Sequence, residues 1–259
     1  MRLGTQCVIV AGVLIATGLV RANAAATSPD PLVAEALRAE AALDTPRALE
    51  LYLAADRARP NDEFILQKIA RQHSDLIPDR KSEAERVALA KTALGYAQRA
   101  VSLQPDNAVN VLSVAICRGQ VAFFGGVRER VEAARDVRAA AERALALDPN
   151  YAWAHHVLGR WHREMIELGR IARLWVNLFY GGLPPASLDQ ALTHLDRAVA
   201  LEPKELAHHV ERGMILVDLK RPADAKQALE TALALPDSAR HHGEFRQRGT
   251  EALGWLLRD

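Results

Sequence analysis

Small and apolar residues recur along this chain in a spacing that occurs five times. In each copy, one such residue is followed by a second four positions later and by a third three positions after that, and a proline ends the phrase. The copies are Ala48/Tyr52/Ala55 before Pro60, Ala93/Ala97/Ala100 before Pro105, Val137/Ala141/Ala144 before Pro149, Ala191/Leu195/Ala198 before Pro203, and Ala225/Leu229/Ala232 before Pro236. Spacings of three and four place residues on one face of an α-helix, so the pattern predicts five related helices.

The repeated phrase is the second half of the tetratricopeptide motif, in which alanine and aromatic positions precede a proline. Extending each copy over the motif gives repeats at 29–62, 63–107, 108–151, 152–205 and 206–239. We therefore predict an all-α, tetratricopeptide-like right-handed superhelix of about five helix pairs over 31–239, followed by a C-terminal capping helix at 240–259. The low aromatic content of 5% also favours helices over sheets.

Local signals support these helix boundaries. Asp30-Pro31 and Thr45-Pro46 each place a capping residue before a proline at the first helical position. Ser82-x-x-Glu85 and Ser187-x-x-Gln190 have the pattern of capping boxes. A small residue recurs where the two helices of each pair are expected to approach closely, namely Ala36, Ala70, Ala115, Gly159 and Gly213.

The first 24 residues have the pattern of a secretory signal peptide. A basic start at Arg2, an apolar run over 7–20 and the small-x-small sequence at 22–24 predict cleavage after Ala24, with a short linker at 25–30. The apolar run is shorter than the roughly 20 residues that a membrane-spanning helix needs. We expect the mature chain to be periplasmic or secreted.

Charge and cysteine content bear on two further properties, the class of partner and the presence of disulfides. Loss of Arg2 and Arg21 with the leader leaves 31 basic against 32 acidic residues, which gives no electrostatic reason to expect a nucleic-acid partner. Cys117 would then be the remaining cysteine, so no internal disulfide is expected. Its apolar surroundings predict a buried thiol.

The fourth repeat carries an apolar insertion between His162 and Ser187. The favoured interpretation is that the first helix continues for about four more turns and buries its apolar surface on neighbouring repeats, which predicts a monomer. In the alternative, residues 165–180 form an exposed patch for self-association or membrane contact, because apolar residues occur almost all round the segment. A homodimer would follow from the self-association form of this alternative.

The same repeat carries a resemblance to a known family. It contains Ala154-His155-His156-Val157-Leu158-Gly159-Arg160-Trp161-His162-Arg163-Glu164, then the apolar insertion, Leu183-Pro184-Pro185-Ala186-Ser187 and finally Glu202-Pro203. In these features the chain resembles the bacterial branch of the regulator-of-microtubule-dynamics family of tetratricopeptide-like proteins. The resemblance implies an α-helical repeat domain that binds a partner, with no catalytic residues to carry over. Since an exported chain would not meet tubulin, we do not expect the microtubule connection to transfer.

The nine histidines raise a weaker alternative, a histidine-dependent metal-binding protein. Adjacent residues on a helix point about 100° apart, so a doublet such as His155-His156 cannot hold one ion by itself. The favoured interpretation is that these histidines replace aromatic residues at helix contacts. The sequence contains no zinc-protease, Cys-x-x-Cys, Gly-x-Ser-x-Gly or phosphate-loop motif, so we expect a protein that is not an enzyme and needs no cofactor.

The first helices offer a partner site on the concave face of the array. The residues predicted to bind are Trp153, His156, Arg160 and Arg163 in the fourth repeat and Arg71 in the second. An aromatic ring beside paired arginines would suit an acidic or C-terminal carboxylate group of a protein or peptide. The alternative is that the insertion or the tail helix covers this face. The sequence thus predicts a non-catalytic exported scaffold that binds a protein or peptide, with a self-assembling or membrane-apposed scaffold as the alternative.

Overall fold

A computed structural model describes residues 30–236 and 242–258 of the chain, and these residues form helices and no strand. The predicted leader and most of the predicted linker therefore lie outside the described residues. The helices are α1 Pro31–Ala41, α2 Thr45–Ala58, α3 Glu63–Asp75, α4 Glu83–Leu103, α5 Ala108–Phe123, α6 Val127–Leu147, α7 Ala152–Glu167, α8 Gly169–Tyr180, α9 Leu188–Leu201, α10 Leu206–Asp218, α11 Pro222–Ala234 and α12 His242–Leu256.

The helices pack in consecutive pairs, as the repeat pattern predicts. The pairs are α1/α2, α3/α4, α5/α6, α7/α9 and α10/α11, and α12 packs against α10 and α11 at the end of the array. The first helices of the last four pairs begin at residues 63, 108, 152 and 206, which are the first residues of the predicted repeats. The predicted fold class, a helical-repeat superhelix with a terminal helix, is confirmed.

Most predicted helix starts have the expected capping contacts. The Ser82 hydroxyl accepts from the Glu85 backbone N–H at 3.2 Å and the Glu85 carboxylate accepts from the Ser82 N–H at 3.2 Å, which completes the capping box. The predicted cap at Thr45 is wrong. The helix already includes this residue, because the carboxylate of Asp44 accepts from the Arg47 N–H at 3.1 Å and supplies the cap one position earlier.

Close helix approach explains the small residues inside the pairs. A Cβ at Gly159 would lie 1.5 Å from Leu195 Cδ2, and a Cβ at Gly213 would lie 2.7 Å from Leu229 Cδ2. Both leucines are fully buried on the second helix of the same pair. The regular spacing of the repeat phrase therefore places one leucine directly against the glycine of its partner helix.

The favoured interpretation of the insertion is wrong. The first helix of the fourth pair ends at Glu167, and Gly169 takes a left-handed φ of 69°, so α8 starts as a separate helix. Its apolar side chains are exposed: Ile171 is 76% and Leu174 is 58% accessible, where a core position would be near zero. The segment turns away because glycine permits the left-handed conformation that most residues avoid.

Arginines of α6 hold the far end of the insertion in place. Arg135 donates from Nε to the Gly182 carbonyl at 3.0 Å and also donates to the Tyr180 carbonyl. Arg138 donates to the Pro185 carbonyl at 3.1 Å. These contacts satisfy the carbonyl groups where the chain leaves α8 and returns to α9, so α8 projects from the array in a fixed position.

The C-terminal helix covers the end of the array. Phe245 is 2% accessible and joins the main hydrophobic core together with residues of α7 and α10. Trp255 near the end of α12 is 70% accessible, and Leu257, which follows the helix, is 64% accessible. Only the first half of α12 is therefore strongly buried by the repeats.

Candidate partner-binding face

The first helices of the pairs line the inner side of the array. α3 contacts α5, and α7 contacts α10, so in these two cases a first helix touches the next first helix as well as its own partner. Of the 15 buried polar or charged residues in the described parts of the chain, 13 lie on α3, α5, α7 and α10. The second helices bury almost exclusively apolar residues. Polar chemistry is therefore concentrated on the inner side.

Two arginines predicted to bind a partner are already paired within the chain. Arg160 lies 2.9 Å from Glu164 and 3.6 Å from Glu211. Arg163 lies 2.6 Å from both Glu167 and Asp218. Their side chains are only 8% and 12% accessible. A carboxylate of a partner would have to displace these internal carboxylates, which makes the predicted two-arginine grip a poor match to this geometry.

In this ion cluster, the acidic and basic groups stabilise each other's charged forms, and their pKa values shift accordingly. Burial would raise the pKa of Glu211, but the guanidinium groups of Arg160 and Arg248 outweigh burial and hold it below its usual value. Burial alone would lower the pKa of Arg160, yet Glu211 and Glu164 raise it. Arg248 reaches Glu211 from α12 at 2.7 Å. The C-terminal helix is thus tied to the inner side by charge as well as by apolar contact.

A second ion cluster contains the predicted residue Arg71. Glu40 of α1 lies 2.9 Å from Lys68 and 3.0 Å from Arg71, and the Tyr52 hydroxyl donates to it at 2.9 Å. Burial opposes ionisation of Glu40, but Arg71 and Lys68 lower its pKa overall. Arg71 also lies 3.7 Å from Asp75. The first two repeats are therefore joined through their polar inner side.

The predicted residues Trp153 and His156 form an aromatic cluster with His208 of α10. Ring centroids of Trp153 lie 4.8 Å from those of both histidines, and the two histidine Nδ1 atoms are 2.9 Å apart. Phe245 of α12 meets His156 edge-on at 6.2 Å. Burial lowers the pKa of His156 well below its usual value, with His208 adding to the effect. Trp153 is 1% accessible, so its ring is enclosed and offers no open stacking surface.

Several buried polar atoms on these helices make no hydrogen bond to the described parts of the chain. On α3 they are Gln67 Nε2, Arg71 Nε and Gln72 Nε2, and in the aromatic cluster they are Trp153 Nε1, His156 Nε2 and His208 Nε2. Buried polar groups in folded proteins are almost always paired, and each exception needs an explanation. Three of the five residues predicted to bind a partner, Arg71, Trp153 and His156, carry such an atom.

Sequence reasoning did not identify His208, Glu211 or the contribution of α12. His208 belongs to a histidine doublet that the sequence shows, but its contact with His156 joins residues 52 positions apart. Glu211 pairs with arginines on two other helices. A local pattern carries no signal for such pairings. The predicted burial of Cys117 is confirmed, since it is 2% accessible and burial raises its pKa to about 11.

The histidines are used in packing contacts. His155 Nδ1 lies 3.0 Å from His194 Nδ1, and the rings of His162 and His194 stack with centroids 6.1 Å apart. Within 30–236 and 242–258, no three histidine, cysteine, aspartate or glutamate side chains are placed to hold a metal ion. The metal-binding alternative finds no ligand set in these parts of the chain.

Comparisons with known proteins agree with the helical-repeat architecture. The family model for regulator of microtubule dynamics protein 1-3 matches residues 32–255. Regulator of microtubule dynamics protein 3 of Xenopus laevis is 28% identical over 178 residues, which cover 68% of this chain and 38% of that protein. Regulator of microtubule dynamics protein 1 of Pongo abelii is 27% identical over 143 residues, 55% of this chain and 46% of that protein. The chain spans less than half the length of these relatives.

Among solved structures, a thermophilic TPR protein of Thermus thermophilus superposes with a TM-score of 0.63 at 17% sequence identity. The superposition covers 86% of this chain and 97% of the Thermus protein. At this identity the likeness concerns the fold alone.

Proposed function

We propose that this chain, which belongs to the regulator of microtubule dynamics family, is a non-catalytic scaffold that binds a protein or peptide along the inner side of its helical array. The tetratricopeptide-like fold is that of a protein-binding scaffold, and its curvature gives a long surface on one side. The first helices supply that surface, from α3 to α7.

The proposal rests on buried N–H donors of α3 and α7 that lack a short hydrogen bond. A buried donor without an acceptor costs about 1–3 kcal/mol of stability. Selection for stability alone would favour an apolar side chain at such a position. Gln67 Nε2 and Trp153 Nε1 are N–H donors that make no hydrogen bond to the described parts of the chain, and Arg71 Nε has only a long contact of 3.7 Å to Asp75. A ligand that supplies acceptors would remove this cost, so the donors are explained by binding.

The chemistry of these atoms indicates the class of ligand. These donors are matched by acceptors, which are the backbone carbonyls of an extended peptide or a carboxylate. Burial raises the pKa of Tyr151, the residue that precedes α7, and the charge of Arg71 partly opposes this rise. An acidic or C-terminal carboxylate would thus be bound by the Gln67 and Trp153 donors, because Arg71, like Arg160 and Arg163, already faces internal carboxylates.

Access to Trp153 requires movement, since its ring is enclosed. Beside the aromatic cluster lies α12, which packs on α10 and α11 at the end of the array and meets His156 through Phe245. Terminal elements of repeat arrays have neighbours on one side only and are the first to open locally. Displacement of α12 would expose the Trp153 edge while the helix pairs stay intact.

The binding test compares two buried tryptophans: the indole N–H of Trp153 makes no hydrogen bond to the described chain, whereas that of Trp161 donates to a backbone carbonyl. Peptides selected from a random display library on the wild-type chain serve as probes, and labelled peptides give affinities by fluorescence anisotropy. Trp153→Phe keeps a buried ring but removes the unpartnered N–H, so we expect affinity to fall about tenfold while thermal stability stays the same or rises.

Trp161→Phe is the matched control. Trp161 is 3% accessible, and its Nε1–H donates to the Ala134 carbonyl at 2.7 Å, so this variant loses that hydrogen bond, while the carbonyl lies inside α6 and keeps its helical partner. We expect it to lower stability by about 0.5–1.5 kcal/mol and to leave peptide affinity unchanged. Peptides that bind Trp153→Phe as well as wild type, or a failure to select any peptide, would count against the inner-side site.

We further propose that the chain is exported to the periplasm or outside the cell, on the strength of the leader pattern at 1–24. N-terminal sequencing of the protein recovered from a secreting host should begin at Ala25. An intact Met1 would remove this proposal and restore cytosolic partners as candidates.

A microtubule-related role is the second candidate, suggested by the family to which the chain belongs. It requires that the chain and tubulin share a compartment, which conflicts with export. Co-sedimentation of the purified chain with microtubules separates the two candidates. Pelleting with microtubules that Trp153→Phe does not weaken would favour a microtubule role through another surface.

A further inference from the structure

Helix α8 presents an uncovered apolar face. Five of its side chains form this face, here called the α8 face: Ile171, Leu174, Trp175, Leu178 and Phe179, which are 76%, 58%, 58%, 68% and 62% accessible. The spacing of these residues places them on one side of the helix. The rings of Trp175 and Phe179 stack with centroids 4.9 Å apart, so the aromatic part of the face is already ordered.

The rest of the chain, as far as the structure describes it, does not cover this face. α8 is attached mainly through α6 and buries only Val176 strongly. A cavity of about 380 Å³ separates the two helices and is lined in part by Val131, Arg135 and Phe179. Because Arg135 and Arg138 fix the exit of the insertion, the face cannot simply fold back onto α6 without breaking those hydrogen bonds.

The size of the α8 face suits a protein contact. With about 200 Å² for an aromatic and about 120 Å² for an aliphatic side chain, the exposed fractions amount to on the order of 500 Å² of apolar surface. That is near the upper end of what soluble monomers expose, and such patches are often interfaces. Two such faces pressed together would bury about 1,000 Å², the size from which a stable interface becomes credible.

We propose that the occupant of the α8 face is a second copy of the same chain, in a two-fold symmetric dimer. The five side chains carry no charge, so bringing two identical faces together places no like charges in contact. Trp175 lies at the middle of the sequence of the face, between Ile171 and Phe179. In an antiparallel pairing of two α8 helices, Trp175 therefore lies beside the two-fold axis. Ile171 of one copy then lies near Phe179 of the other.

The charges beside the face favour a second copy over a membrane surface. No helix among the described residues is long and apolar enough to span a bilayer, so a lipid contact would be interfacial and would draw on free basic groups. Arg128 is paired with Glu132 at 2.9 Å, and Arg173 donates to the Met165 carbonyl at 2.5 Å. These two cations are already engaged and add little attraction to anionic headgroups.

Sedimentation velocity of the full chain tests the proposal, at concentrations from about 1 to 100 µM, where contacts of this size commonly assemble. We expect the wild type to shift to twice the mass of one chain. Trp175→Asp places a charge next to the axis in both copies, and we expect dimerisation to weaken at least about thirtyfold, as for a central aromatic hot spot. Leu178→Glu should act in the same way, with an unchanged helical circular-dichroism spectrum for both variants.

Trp255→Asp is the matched control, because Trp255 is 70% accessible but lies on α12. We expect it to dimerise like the wild type. A wild-type chain that remains monomeric over the whole range overturns the proposal, as does a dimer that Trp175→Asp and Leu178→Glu leave intact. A monomer that pellets with anionic phospholipid vesicles, and stops doing so as Trp175→Asp, would instead assign the face to a membrane.

Discussion

Gly159→Ala is expected to lower the free energy of unfolding by about 3 kcal/mol, although alanine is the better helix former. The added methyl group would lie 1.5 Å from Leu195 Cδ2 and 3.2 Å from the Ala191 carbonyl oxygen. Leu195 is fully buried and has no solvent to move into. Helices α7 and α9 would have to separate, which disturbs the pair that also carries Trp153. Urea unfolding followed by circular dichroism gives the measurement.

Gly95→Ala is the control for this substitution. Gly95 also lies within a helix, α4, but a Cβ there meets nothing within 4 Å. We expect this variant to be more stable than wild type by about 0.5–1 kcal/mol, the gain in helix propensity. Equal stabilities of the two variants would show that α7 and α9 are not as close as the structure places them.

Arg160→Ala is expected to lower the free energy of unfolding by about 3 kcal/mol, because it removes the ion-pair partner of Glu164 and leaves Glu211 with Arg248. Glu211 is 1% accessible and Glu164 16% accessible, and both face Arg160 within 3.6 Å. If Arg160 instead served to bind a partner, as the sequence predicts, this variant would unfold close to wild type. Thermal and urea unfolding of the same preparation distinguish the two expectations.

Arg118→Ala is the matched control for the buried ion cluster. Arg118 lies 2.6 Å from Asp136, but both side chains are almost half exposed. Exposed pairs contribute about 0–1 kcal/mol, so this variant should unfold close to wild type. If Arg160→Ala proves as mild as Arg118→Ala, the inner cluster is not stabilising and Arg160 returns as a candidate for partner binding.

The repeat boundaries were predictable because they depend on local chemistry. Prolines stop helices wherever they occur in the motif, and small residues mark close contacts through their size alone. The starts of α3, α5, α7 and α10 follow from these signals. The cap of α2 was missed by one residue, since Asp44 and Thr45 are both good capping residues and only the backbone decides between them.

The prediction for the insertion is wrong because it relies on the apolar composition, which indicates burial, and not on Gly169, which indicates a helix break. Apolar residues almost all round a segment indicate burial, but burial also needs a neighbour, and the sequence does not show where the neighbours lie. Gly169 was the available signal, as a glycine within a helical pattern marks a possible break. Its φ of 69° directs α8 away from the axis of α7 and leaves the α8 face exposed.

The sequence pattern assigns the candidate residues to helices but does not show their hydrogen bonds. Trp153 and His156 lie on α7 and Arg71 lies on α3, both first helices of their pairs. The partners of their polar atoms lie more than 30 positions away, such as Glu40 for Arg71 and His208 for His156. Periodicity reports which face a residue lies on, while its hydrogen bonds depend on how separate repeats stack.

Hydrogen exchange on the wild-type chain, with and without a display-selected peptide, tests the inner-side site most directly. The account predicts slower exchange in α3 and α7 when the peptide is bound, no change in the outer helices α4, α6 and α9, and faster exchange in α12 as it is displaced. Protection confined to the outer helices or to α8, with α3 and α7 unchanged, would contradict it.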